Sequence, residues 1–205
     1  VLESASAAQA LVCMPTHGRA GVSRLVFGSV AEDLIRRSSD PVLCVGPDVT
    51  DIFLPEETIE GLVCTDDSAA TDAVLDGAAR FARRVDATCS VVQIVGPDED
   101  ISLDGGPPPR PIRDRAEQHC RDSAQRLSAH GVSATSQVLP AGHAAASIVQ
   151  HAQRNAFAFI VVGTVGRSGL ARMTLGSVAA AIVRHASCPV LVVPAAVPQP
   201  QHDRP

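Results

Sequence analysis

Lysine, tryptophan and tyrosine are missing from this 205-residue chain, and phenylalanine occurs only five times. All seventeen basic residues are therefore Arg. Without lysine, neither Schiff-base chemistry nor a P-loop lysine is available. With so few aromatics, a stacking platform for single-stranded nucleic acid is not expected. The net charge of −5 is mild and argues against a broad nucleic-acid footprint. No apolar run approaches membrane length, and no secretory leader opens the chain, so neither a membrane partner nor export is expected. The six Cys, at 13, 44, 64, 89, 120 and 188, lack CxxC spacing. They read as small buried hydrophobes in a reducing cytoplasm. The chain opens on Val1 rather than Met, the pattern of a fragment or a processed product.

What is present is a repeat. Shifted by 148 residues, Leu11–Val45 falls on Phe159–Val193, and fifteen of the 35 positions are identical. The shared residues include Gly18 and Gly166, Arg19 and Arg167, Gly28 and Gly176, Ser29 and Ser177, and the closing Pro-Val-Leu at 41 and 189. Chance identity would be roughly a tenth.

Only the second copy has a full domain before it. "GLVCT", 61–65, has strand character. Residues 69–85 read as a helix with Val74, Ala78, Phe81 and Val85 on one face, and with Asp76 and Arg80 paired on another. "TCSVVQIV", 88–95, reads as a buried strand. Residues 96–111 read as a loop in which Asp98, Glu99, Asp100 and Asp104 are solvated. Residues 112–129 form a helix with Ile112, Ala116, Cys120, Ala124 and Leu127 inward. Strand 133–139, helix 143–154, strand 158–163, a helix from Ser177 to Arg184 and a last strand at 189–193 follow. Alternation of this kind predicts an α/β fold with a doubly wound, five-stranded parallel sheet, plus a partial second copy. The expected divisions are a C-terminal half domain at 1–47, a linker at 48–56, a complete domain at 57–195 and a disordered tail at 196–205. The half domain cannot cover both faces of a sheet alone.

The phrase at the end of the second copy runs Gly163-x2-Gly166-x9-Gly176-Ser177. It leaves a strand, so it belongs at the carboxyl end of a parallel sheet, where ligands of such folds bind. Gly163 and Gly166 let backbone approach a ligand, and Gly176-Ser177 open a helix whose free N–H groups suit a phosphate. Arg167 and Arg172 add positive charge. GxxxxGK[ST], GxGxxG and GxSxG are all absent. His143 and His151, eight apart on one helix, read as surface residues, as do Arg83 and Arg84 at a helix end.

This phrase, with the helix and "CPVLVV" after it and "LVCTDDS" at 62–68 before it, resembles the universal stress protein family. The likeness covers 57–195 and, as a half domain, 1–47. It implies an adenine nucleotide as partner and ATP, with or without Mg, as cofactor. It also implies roles. Asp66 contacts the adenine end, Ile94 offers a backbone contact to adenine, and Val162, Gly163, Gly166, Gly176, Ser177 and Val178 meet ribose and phosphates, with Arg167 beside them. Asp67 stands where glycine is usual and is expected to serve as an exposed helix N-cap. In the first copy, Pro15 replaces the first glycine and the Asp-bearing strand is missing, so no nucleotide is expected there. In the family the last strands pair across a two-fold interface, so residues 41–45 and 189–193 are expected to pair within the chain or in a homodimer.

Three functions compete on these residues. One is an ATP-binding module in stress signalling, with no catalytic residue. The second is a structural or dimerisation module with an empty cleft. The third, a slow ATP hydrolase, lacks a visible nucleophile–base set or metal-ligand cluster.

Overall fold

The short copy contributes strand β1 (Val12–Pro15), helix α1 (Ser29–Arg37) and strand β2 (Val42–Val45). The long copy contributes β3 (Glu60–Thr65), α2 (Thr71–Arg84), β4 (Thr88–Val95), α3 (Arg110–Ala129), β5 (Ala134–Pro140), α4 (Ala144–Arg154), β6 (Phe159–Gly163), α5 (Ser177–His185) and β7 (Val190–Val193). The computed structural model describes residues 11–16, 29–49, 59–95, 110–140, 143–164 and 175–194. Parts of the expected linker, the acidic loop and the tail lie outside them, as do Gly166, Arg167 and Arg172.

The strands form one seven-stranded sheet in the order β1-β2-β7-β6-β3-β4-β5. From β7 to β5 every neighbouring pair is parallel, which gives the five-stranded doubly wound unit. The sheet is wider than five because the short copy joins its edge. β2 lies antiparallel to β7, with Val42, Leu43 and Cys44 opposite Val192, Leu191 and Val190. β1 then adds parallel to β2. An edge strand of apolar residues is a template for such pairing, and burial of Val42 and Cys44 stabilises the junction. Contact there is close. A Cβ on Gly46 would lie 2.5 Å from the Val183 carbonyl oxygen.

The repeat is visible in hydrogen bonds as well as in letters. Thr164 donates its N–H to the Val193 carbonyl at 2.9 Å, and Thr16 donates to the Val45 carbonyl at 3.1 Å. Both pairs are 148 residues apart from their counterparts.

Two apolar layers sandwich the sheet. Beneath α2 and α3 lie Val63, Leu75, Phe81, Val91, Leu127 and Phe159, with the rings of Phe81 and Phe159 edge to face at 4.9 Å. Beneath α1, α4 and α5 lie Ile35, Leu62, Ile148, Ile160 and Ile182. β4 is buried on both faces, as its continuous apolar run predicts. Helix α3 begins at Arg110, earlier than the proline-rich composition suggests. Proline suits a first helical turn, because its missing N–H would have had no partner there.

Some side chains differ from expectation. Cys13 is exposed on β1, whereas Cys44, Cys89, Cys120 and Cys188 are buried. Burial pushes the thiols of Cys44, Cys89 and Cys188 up to about 12 and that of Cys120 up to about 11, so these four are inert packing residues. Asp76 comes within 3.8 Å of His130 Nε2. His151 is half-buried rather than a surface residue. Its ring packs on Phe157 at 5.6 Å, and its Nε2 lies 2.6 Å from Gln137 Nε2.

Candidate functional site

The strand order reverses between β3 and β6, and the carboxyl ends of these strands open into a cleft of about 340 Å³. Seven of the residues singled out from the sequence line it: Asp66 and Ile94 from the ends of β3 and β4, Val162 and Gly163 from β6, and Gly176, Ser177 and Val178 from the start of α5. Gly166 and Arg167 lie outside the described residues.

The glycine phrase is clipped at its two ends. The Gly176 N–H donates to the Thr164 carbonyl at 2.9 Å, and the Ala180 N–H bonds the Gly176 carbonyl at 2.8 Å. Gly176 has φ −55° and ψ 147°, which any residue could adopt. What glycine offers there is space: a Cβ would lie 3.3 Å from the Thr164 oxygen, a tight approach. Val178, in the first turn of α5, is 43% exposed, an apolar side chain left open on the cleft rim.

The turn from β3 into α2 is held by its own side chains. Asp66 Oδ1 accepts the Ser68 N–H at 3.2 Å, and Ser68 Oγ accepts the Ala70 N–H at 3.3 Å. The Thr71 N–H then bonds the Ser68 carbonyl at 3.0 Å. Between these residues Asp67 takes φ 56°, the left-handed region that favours glycine. Its expected role as a helix N-cap is thus corrected: Ala70 holds the N-cap position. The Asp67 carboxylate turns to α3, where it accepts two hydrogen bonds from Arg115, at 3.1 and 2.7 Å, and lies 3.3 Å from His119 Nδ1. Its charge does not enter the cleft.

Three helices begin at this cleft. Ala70 and Thr71 of α2, Ala144 of α4, and Ser177 and Val178 of α5 all line it. None of the three N-cap positions, Ala70, His143 and Gly176, makes a side-chain capping bond. Sequence reasoning found the α5 opening from its glycines. It missed the other two, together with Thr71, Thr164 and the apolar wall of Val74, Ile148 and Ile182. The signal available was the capping chemistry: alanine and histidine stand where Ser, Thr, Asp or Asn usually cap. The wall also carries Cys64, whose thiol burial pushes up, so it acts as an apolar surface. Among the described residues no group of three or more His, Cys, Asp or Glu is placed to hold a metal ion, and no helix is long and apolar enough to cross a membrane.

The family model described as "Universal stress protein family" matches residues 2–46 and 62–194, most of the chain. A curated universal stress protein of Methanocaldococcus jannaschii is 48% identical over 52 residues, which are 25% of this chain and 31% of that protein. The match thus spans about a third of that relative's length. Among solved structures, a universal stress protein from Archaeoglobus fulgidus DSM 4304 aligns with TM-score 0.62 at 19% identity, over 94% of this chain and 64% of that one. Another from Archaeoglobus fulgidus, solved in complex with dAMP, aligns with TM-score 0.50 at 21% identity, over 67% of this chain and 98% of its own. These likenesses agree with the fold, and the family match extends to both copies of the repeat. The chain belongs to the universal stress protein family.

Proposed function

We propose that the unit spanning residues 57–195 binds an adenine nucleotide, ATP in the first instance, in the cleft between β3 and β6. One observation carries this reading: three helix N-termini without side-chain caps open on the same cleft. Each such terminus carries unpaired N–H groups and about half a positive charge, which suits a phosphate-bearing ligand. At α5 the missing Cβ of Gly176 and the adjacent Ser177 leave a cradle of backbone and hydroxyl donors. The apolar wall suits a base, and the dAMP complex of the Archaeoglobus relative supports adenine as that base.

In this reading Asp66 and the Ile94 backbone hold the nucleoside end. Val162, Gly163, Gly166, Arg167, Gly176, Ser177 and Val178 hold ribose and phosphates, with any Mg carried on the phosphates. Residues 1–47 hold no nucleotide. They act through the β2–β7 junction, within the chain, as a structural partner. The module signals by favouring one conformation when the nucleotide is bound and is not a hydrolase.

Calorimetric titration of the purified chain with ATP tests the reading. Saturable heat is expected, and Asp66→Ala and Gly176→Trp should each weaken binding by about tenfold or more. No heat from folded protein at millimolar ATP overturns nucleotide binding. Unchanged affinity in both variants overturns the residue assignment. Sustained phosphate release that Asp66→Ala abolishes would make the protein a hydrolase instead.

A further inference from the structure

Thr71 opens α2 on the cleft wall, five residues beyond Asp66. It is 6% exposed, and its Oγ1 is buried without a hydrogen-bond partner. Native proteins retain few buried hydroxyls of this kind, because an unpaired polar atom removed from water is destabilising. No described residue accepts from or donates to this hydroxyl. The turn is closed by backbone and by Ser68, and α2 receives no side-chain cap. A threonine one position earlier, where Ala70 stands, would cap the helix. At position 71 the buried hydroxyl belongs to the first residue of the helix, a residue that lines the cleft.

We propose that Thr71 is a specificity-determining residue whose Oγ1 hydrogen-bonds the nucleoside portion of the bound nucleotide. This rests on the adenine-nucleotide reading above. The nucleoside portion is favoured over the phosphates for two reasons. Asp66, in the turn leading to Thr71, places a carboxylate at this end of the cleft, which repels phosphate oxygens. The cradle of glycine and serine lies at the start of another helix, α5. A carboxylate offers acceptors alone, whereas a hydroxyl also donates. Thr71 therefore supplies a donor for a ring nitrogen or ribose oxygen that Asp66 cannot serve.

The test compares Thr71→Val, which keeps the shape and removes the hydroxyl, with Thr71→Ser, which keeps the hydroxyl. Affinities of the full chain for ATP and for inorganic tripolyphosphate are measured by calorimetry, with thermal unfolding recorded in the absence of ligand. Thr71→Val should bind ATP about five- to tenfold more weakly, bind tripolyphosphate as the wild type does, and melt no lower than the wild type. Thr71→Ser should bind ATP within about twofold of the wild type. Thr71→Ala provides a second variant without the hydroxyl if valine is not tolerated at this position. Wild-type ATP affinity in the hydroxyl-free variants overturns the proposal. So does an equal loss for ATP and tripolyphosphate, which would move Thr71 to the phosphates, or a large loss of melting temperature in both, which would make the hydroxyl structural. A wild-type chain that binds no ATP defeats the nucleotide reading itself, an outcome distinct from a binding-competent wild type with an indifferent Thr71→Val.

Discussion

His151 stands near the end of α4, between the Gln137 amide at 2.6 Å and the Asn155 amide at 3.2 Å. Desolvation by burial holds its pKa below the ordinary 6.5. In the unfolded chain the imidazole takes its proton near 6.5, and in the folded protein only at lower pH. Between those two values the unfolded state binds more protons, so this residue's contribution to stability is lost as pH falls below about 6.5. Urea midpoints should accordingly drop between pH 7.5 and pH 5.5, and the drop should shrink in His151→Gln. An unchanged drop in the variant would assign the effect elsewhere. Asp33 and Glu117 do not interfere in that window, because Arg36 and Arg113 hold them below the usual carboxylate range. Single residues differed in how legible they were. Gly163, Gly176 and Ser177 were legible as cleft residues because their spacing spells a strand end and a helix opening. Asp67 misled because aspartate is favoured at helix caps and also tolerates positive φ, and the letter does not say which. Thr71 gave no signal, since apolar periodicity registers Val74 and Ala78 and ignores a hydroxyl between them and the turn.

Helices α2, α3 and α4 end alike, and the likeness is conformational rather than chemical. Asp86, Gly131 and Ala156 follow them with φ of 53°, 79° and 53°. In each case the next N–H reaches back five residues: Ala87 to Ala82, Val132 to Leu127 and Phe157 to Ala152, at 2.9 to 3.0 Å. Glycine is the residue without penalty at this position, and alanine costs about 1 kcal/mol. Ala156 is exposed, so Ala156→Gly removes no packing. It should raise stability by about 0.5–1 kcal/mol, read as a higher urea midpoint with an unchanged slope. A lowered midpoint would show that chain entropy outweighs the relieved backbone. The elements themselves were legible because Val74, Ala78 and Phe81, or Ala116, Cys120 and Leu127, repeat at helical spacing. The two uncapped openings at α2 and α4 left only a faint trace, alanine and histidine at the cap positions, which acquires meaning once the helix starts are known. Their convergence on one cleft depends on the tertiary arrangement.

At the scale of the molecule, the junction between β2 and β7 unites the two copies in one sheet. Removing residues 1–47 would uncover the β7 edge, with its buried Val190, Leu191, Val192 and Val193. The truncated chain should then dimerise or aggregate in size-exclusion chromatography at concentrations where the full chain is uniform. A soluble monomer of unchanged melting temperature would show that the edge protects itself. The repeat in the sequence revealed that two like edges exist. It could not reveal their direction, because the same Pro-Val-Leu letters serve a parallel or an antiparallel neighbour. The observed direction has a geometric consequence. Because β2 and β7 run oppositely, β1 leaves the sheet at Thr16 at the pole opposite the one where β6 delivers Gly163. The strands that lead into the two copies of one phrase therefore end at opposite edges of the sheet, so the tandem presents its two carboxyl-terminal edges back to back rather than side by side.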